Sequence, residues 1–351
     1  MPSSDAIGPA ALLLPLVLAL VPVQIFLLVL SALDTWRLVR PRRIVVGLVV
    51  GAVAAGVSFV VNNTVVALTG LGSAAFAVYV APLVEETAKG AWTAWQVGSR
   101  RIGFLVDALL LGFAVGAGFA TVENLYFLHL APGAPPVVWA IRGVGTAVMH
   151  GGAAALFAVV QRMLRDGPRR RWAWPASLVA AWLLHAGFNR LLAWPLPATA
   201  ALLLLVPAVL AAAHHLGERR LRAWLGRGFD RDAELLAVIR SGEVRATPLG
   251  RYLESLRSLA RPETVADMLC LLRLQAELAI RAKGTLLLRQ EGLEPAPEPE
   301  LAARLAEVAH LEASIGRAGL LALRPVSPWR GDGRWQRQLL EQEASAGRPA
   351  R

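Results

Sequence analysis

The stretch FAVYVAPLVEETAKGAWTAW (residues 76–95) sets two adjacent carboxylates and a lysine in an otherwise apolar run. A charged side chain near the middle of a membrane helix costs about 2.5–3.5 kcal/mol on insertion scales, so such groups are rare and face a protein interior. The rest of the chain supports the membrane reading. Of 351 residues, 56% are hydrophobic and the mean hydropathy is +0.51, too apolar for an ordinary soluble protein of this length. Seven apolar segments stand out, at 10–33, 44–69, 73–97, 102–128, 137–164, 173–193 and 198–215. Each is near or above the ~20 residues that span a bilayer. The expected fold is an all-α, polytopic transmembrane helix bundle of about seven spans with a C-terminal helical cytoplasmic domain.

The connecting stretches alternate in charge. DTWRLVRPRR, SRR, QRMLRDGPRRR and GERRLRAWLGR are basic, whereas VNNTVVALTGLGS, HLAPGAPP and WPLPA carry no Arg or Lys. By the positive-inside rule this places the N-terminus outside and the C-terminus in the cytoplasm of a multi-pass cell-membrane protein. MPSSDAIGPA lacks the basic region of a signal peptide, so the first apolar run is expected to be retained. The net charge of +11 is accounted for by these loops, which argues against nucleic acid as a partner. The single cysteine, Cys270, rules out an intramolecular disulfide and a cysteine metal cluster.

Two domains are expected, a transmembrane one over 1–216 and a cytoplasmic, mainly helical one over 217–351. In the second, Leu and Ala recur among Glu and Arg at helical spacing. EGLEPAPEPE (291–300) reads as a Pro/Glu linker and GRWQRQLLEQEASAGRPAR as a frayed tail. No motif in this region names its cytoplasmic partner. In the transmembrane region, GFAVG (112–116) and Gly143, Gly145, Gly151 and Gly152 offer faces for close helix packing.

Polar residues recur inside the apolar segments: Glu85, Glu86 and Lys89 in the third, Asp107 and Glu123 in the fourth, Arg142 and His150 in the fifth, His185 and Asn189 in the sixth. At about 1.5 Å per residue, Glu85, His150 and His185 fall at mid-bilayer and Glu123 nearer the outer face. Glu85 and Glu86 point about 100° apart, whereas Glu85 and Lys89 share a face. Lys89 and Lys283 are the only lysines in an arginine-rich chain, which marks Lys89 as chosen for its compact ammonium. Two histidines and a carboxylate are also the ligand set of a hydrolytic zinc site, although HExxH is absent. Asp107 reads as structural or gating, as does Arg142, placed to snorkel outward. His129, His214, His215 and His310 read as chemically idle.

EETAK (85–89), FATVE (119–123), His150 in MHGG and HAGFN (185–189), in this order and each within an apolar segment, resemble the PrsW family of intramembrane proteases. That family is grouped with the prenyl-protein (CAAX) proteases and bacterial immunity-type membrane proteases. The resemblance spans roughly 40–215. It implies cleavage of a transmembrane protein substrate within or near the bilayer, typically an anti-sigma factor. It also implies that Glu85 and Glu86 are catalytic, that His185 is essential beside them, and that Glu123, His150 and Asn189 complete the site. The CAAX relatives typically carry His where Glu123 stands, so the PrsW branch fits better. The family is called metalloprotease, while relatives are also argued to use glutamate without metal. Both a Zn²⁺ site, with Glu123, His150 and His185 as ligands, and a metal-independent mechanism therefore stay open.

In the mechanism so implied, Glu85 or Glu86 activates water, Lys89 keeps the neighbouring carboxylate ionised, and Asn189 donates to the oxyanion. Two other classes also bury charge or use membrane helices: a proton- or ion-coupled transporter, and a non-enzymatic membrane scaffold. The chain shows no internal repeat of the transporter kind. A scaffold leaves the intramembrane charges unexplained.

Overall fold

A computed structural model describes residues 9–34, 36–70, 73–257, 261–296, 298–329 and 333–346. Among them there are eleven helices and no strand. The first seven are α1 (Pro9–Ala32), α2 (Pro41–Thr69), α3 (Ala81–Gly98), α4 (Leu105–Leu130), α5 (Pro136–Arg165), α6 (Ala173–Leu191) and α7 (Pro195–Arg240). Short helical and π-helical turns, Ser73–Ala75 and Phe76–Val80, lead into α3, and α5 contains a π-helical stretch at Ile141–Thr146. Cα packing divides the chain into units Met1–Glu218 and Arg219–Arg351, with the division falling inside α7.

In the first unit α4 is the axis. Every residue from Leu105 to Ala120 is buried, with α2 and α5 packed along it and α1 beside them. Glycines permit the close approaches. A Cβ at Gly51 would lie 1.9 Å from the carbonyl oxygen of Val115, and one at Gly116 would lie 2.1 Å from that of His150. The second contact fixes the height of the His150 turn of α5 against α4. α2 runs on as helix through Asn62 and Asn63 to a left-handed Gly70 (φ 61°), so the VNN stretch is helical rather than loop.

The expectation of about seven spans is met in part. All seven apolar segments are helical, but five helices (Leu12–Ala32, Pro41–Thr69, Leu105–Leu130, Pro136–Arg165 and Pro195–Arg240) are long and apolar enough to cross a membrane. α3 and α6, 18 and 19 residues long, fall short in apolarity, α3 with three charges and α6 with His185, Asn189 and Arg190. α3 is reversed in polarity. Its buried stripe is Pro82, Glu86, Lys89, Gly90, Thr93, Gln96 and Val97 at helical period, while Leu83 and Trp95 point outward. Its polar groups face other helices rather than lipid, so apolar composition is not what holds it in place.

The second unit contains the end of α7 with α8 (Pro248–Leu256), α9 (Pro262–Gln290), α10 (Leu301–Leu323) and α11 (Gly333–Ala346). Met268, Leu271, Leu272, Leu278, Val308 and Leu340 are buried within it. Lys283 pairs with the buried Asp232 and stands 5.0 Å over the Trp224 ring. The tail expected to fray forms α11 instead, because Leu339 and Leu340 give it a buried face and Arg337 pairs with Glu312 at 3.0 Å. Residues 347–351 lie outside the described residues.

Candidate active site

The reversed stripe of α3 turns Glu86 and Lys89 into the bundle, both with fully buried side chains. Lys89 Nζ donates to Glu86 Oε1 at 2.5 Å and lies 3.0 Å from His150 Nδ1. An ammonium has only donors, so His150 Nδ1 is the acceptor and its Nε2–H donates to Glu123 Oε2 at 2.6 Å. The other oxygen of Glu123 pairs with Arg142 at 3.2 Å. Arg142 does not snorkel. Its Nε donates to Asn124 Oδ1 at 3.0 Å and its guanidinium lies 3.7 Å over the Phe127 ring.

On the other side, His185 Nδ1 lies 2.7 Å from Glu86 Oε1, which assigns the proton to Nδ1 and leaves the Nε2 lone pair free. That Nε2 is 3.8 Å from Glu85 Oε2. The two imidazoles meet edge to face with centroids 4.8 Å apart. Glu85, about 100° around α3 from Glu86, is the more accessible carboxylate, 16% exposed against 0%. It opens on a cleft of about 410 Å³ whose wall includes Ser58, Asn62, Phe119, Glu123 and Tyr126. Glu86 Oε2 is buried with no hydrogen-bond partner.

Two adjacent glutamates thus have different surroundings. Glu86 is locked between Lys89 and His185, whereas Glu85 meets the cleft, with Asn62 Nδ2 3.5 Å from its Oε1. The partner of Lys89 on its own helix is Glu86 at i,i+3 rather than Glu85 at i,i+4, because Glu86 shares its inward stripe.

A metal is best accommodated by Glu85, His150 and His185, which each offer a ligand atom within 4.8 Å of the others. The sequence pointed to Glu123 as the carboxylate. Glu85 takes its place because both Glu123 oxygens are engaged, by His150 and Arg142. Two imidazoles and a carboxylate suit zinc with a position left for water, and Glu86 behind His185 is the outer carboxylate such a ligand commonly has. Both His150 nitrogens carry hydrogen bonds here, so ligation by His150 exchanges one of them.

Residues 40–212 match the model of the PrsW family intramembrane metalloproteases. They form a PrsW family intramembrane metalloprotease domain. No curated protein and no solved structure matches the chain. The PrsW domain is a peptidase in a multi-pass membrane protein, and that membership displaces the transporter and scaffold readings.

Within the PrsW domain the structure brings together Glu85, Glu86, Lys89, Glu123, His150 and His185. Asn189 is placed differently. One N–H of its amide donates to the carbonyl of Ala77 at 3.0 Å, in the π-helical turn before α3, which ties the expected oxyanion donor to local structure. Asp107 is structural: one oxygen accepts from the backbone of Gly103 and Phe104 at the start of α4. Sequence reading passed over Ser58 and Asn62 and set Arg142 aside. The available signal for Asn62 was an unexplained amide in an apolar run, the same cost argument that singled out α3.

Proposed function

We propose that the domain hydrolyses a peptide bond of a transmembrane protein substrate within or near the bilayer, with Glu85 as general base. The observation that carries this is the Glu85 Oε2–His185 Nε2 pair at the cleft, 3.8 Å apart, a spacing that one water can bridge. Glu85 takes a proton from that water as its oxygen adds to the scissile carbonyl carbon, and returns the proton to the departing amine as the C–N bond breaks. His185 Nε2 accepts the water's second hydrogen bond and orients its lone pair toward the substrate. Glu86 fixes the His185 tautomer through Nδ1, and Lys89 compensates the Glu86 charge, so neither needs to touch the substrate. Glu123 and Arg142 hold His150 from the far side. A zinc ion held by Glu85, His150 and His185 would, when bound, supply the water acidity and carbonyl polarisation otherwise asked of the Glu85–His185 pair.

The substrate reaches the cleft laterally as a locally unwound segment, because a helical peptide bond is shielded by its own hydrogen bonds. An anti-sigma factor is the narrower substrate reading and is supported by the family resemblance alone. Membrane-protein fragments from cells making equal amounts of the parent protein and of Glu85→Ala test the proposal. A truncated membrane protein seen only with the parent is expected, and identical fragment profiles would overturn the peptidase role of Glu85. Elemental analysis of the purified parent protein should find zinc, with a loss of it in purified His185→Ala. Retention of zinc in that variant would remove His185 from the ligand set.

The basic loops argue for a cytoplasmic C-terminus and for the bilayer, not nucleic acid, as the partner of the positive charge. Cys270 is exposed and is the only cysteine, so the native chain reports its own orientation. A membrane-impermeant maleimide should label inside-out vesicles and not intact cells. The reverse pattern would invert the topology.

A further inference from the structure

Ser58 and Asn62 stand one helical turn apart on α2, in the wall of the cleft that Glu85 enters. Ser58 is 1% exposed, and its Oγ has no hydrogen-bond partner. Asn62 Oδ1 is also buried without one. Two nearby hydroxyls behave differently. Thr64 on the same helix and Thr87 on α3 return theirs to the carbonyl four residues earlier, at 2.9 and 2.7 Å. Buried polar atoms in native structures are rarely left unpaired, and these two share one cleft, where a ligand with polar groups of its own would meet both.

The spacing selects the ligand. Positions i and i+4 of a helix are about 6 Å apart along its axis, close to the ~6.6–6.8 Å that two residues of extended chain cover. The Asn62 NH₂ faces Glu85 Oε1 at 3.5 Å, which leaves the buried, unpartnered Oδ1 as the acceptor for a peptide N–H. The Ser58 hydroxyl can donate to a peptide carbonyl. A transmembrane helix has no backbone groups to spare for either, whereas an unwound segment has unpaired ones that lipid cannot satisfy.

We infer that Ser58 and Asn62 are a backbone-reading subsite that holds the scissile segment of the substrate extended beside Glu85. The inference rests on the peptidase reading and adds its substrate class: transmembrane segments that unwind readily at a helix-breaking centre. Asn62 and Ser58 act by binding the chain, not by moving protons.

The test uses the full-length Glu85→Gln protein in lipid nanodiscs, so that binding is read without turnover. The probes are two fluorescent Leu/Ala peptides of about 20 residues, one with a central Gly-Pro-Gly and one uninterrupted. The Gly-Pro-Gly peptide should bind more tightly. Ser58→Ala and Asn62→Leu should each weaken it about threefold to tenfold, the size of one net hydrogen bond, while Ser58→Thr keeps the hydroxyl and the affinity. Binding of the uninterrupted peptide should not change. A third probe, with one central amide replaced by an ester, lacks an N–H for Asn62. Scanned across the centre, that replacement should weaken binding at one position in the parent and cost nothing further in Asn62→Leu.

Equal affinity of parent and variants for the Gly-Pro-Gly peptide overturns the inference, as does failure of the parent to bind it. Cleavage of the same peptide by the protein with Glu85 intact is scored separately. Cleavage with variant-insensitive binding keeps the peptidase and removes the subsite. Variant-sensitive binding without cleavage keeps the subsite and removes the peptidase.

Discussion

Lys89 offers three N–H donors from a fully buried position and uses them on Glu86 and His150 beneath the face of Phe119, 4.4 Å from its ring centre. A planar guanidinium is longer and branched, and this enclosed position has no room to reorient it. Removing one member of a buried ion pair leaves a charge uncompensated, at a cost of about 3–5 kcal/mol. Lys89→Met should therefore lower the unfolding temperature of the detergent-solubilised protein sharply. Lys89→Met combined with Glu86→Gln should recover part of that loss, and a double variant less stable than the single one would refute the pairing. Glu85→Gln, at the cleft edge, should leave stability nearly unchanged. The chemistry of this cluster was legible in the sequence because the cost of burying charge marks it. Which glutamate pairs with Lys89 was not, since i+3 and i+4 both lie within reach and the choice depends on how α3 is rotated. Asn189 was harder to place: one of its N–H groups goes to the carbonyl of Ala77, which the following Pro82, without an N–H, cannot take up.

At the scale of the element, the approach of α4 to α5 sets the height of His150. Gly116 has no spare space, because its missing Cβ would sit 2.1 Å from the His150 carbonyl oxygen, which is backbone and cannot step aside. Gly116→Ala must move α5 by something near 1 Å, a displacement that elsewhere costs about 100-fold in rate. The variant should keep its helical circular dichroism and lose nearly all proteolysis. Full activity would show that His150 tolerates displacement. GFAVG was readable in advance as a packing face, and so were the seven apolar runs as helices. That the polar stripe of α3 faces inward followed from the cost of charge in lipid, but its rotation, which puts Glu86 and not Glu85 on the buried stripe, did not. Likewise α11 was read as loose, since two leucines among charged residues give too weak a stripe until α10 supplies Glu312 to pair with Arg337.

The molecule as a whole separates into two units with different reasons for being helical. In Met1–Glu218 helices follow from lipid, which leaves a backbone no other partner, and the outward valines of α2 are exposed as a soluble protein would not expose them. In Arg219–Arg351 they follow from amphipathic periodicity, tied by pairs such as Arg304–Glu298 at 2.9 Å and Arg281–Glu298 at 2.7 Å. The change of regime was visible as a change in composition near residue 217. How the membrane helices group around the site was not, because four short motifs fix which residues are polar but not which pairs touch.

The shortfall of α3 and α6 bears on how the protein is made. Neither is apolar enough to enter a bilayer alone, and between them they carry Glu85, Glu86, Lys89 and His185. During synthesis the inward stripe of α3 would have to wait for α5, which brings His150, and for α6, which brings His185 and itself packs on α5. In a nascent chain ending after α3, anchored by α1 and α2, α3 should be open to protease, while in one ending after α6 it should be protected. Protection of α3 in the shorter chain would contradict this order. Assembly of the catalytic groups then becomes the closing event of biogenesis, and a half-made chain has no means of cutting the membrane proteins around it.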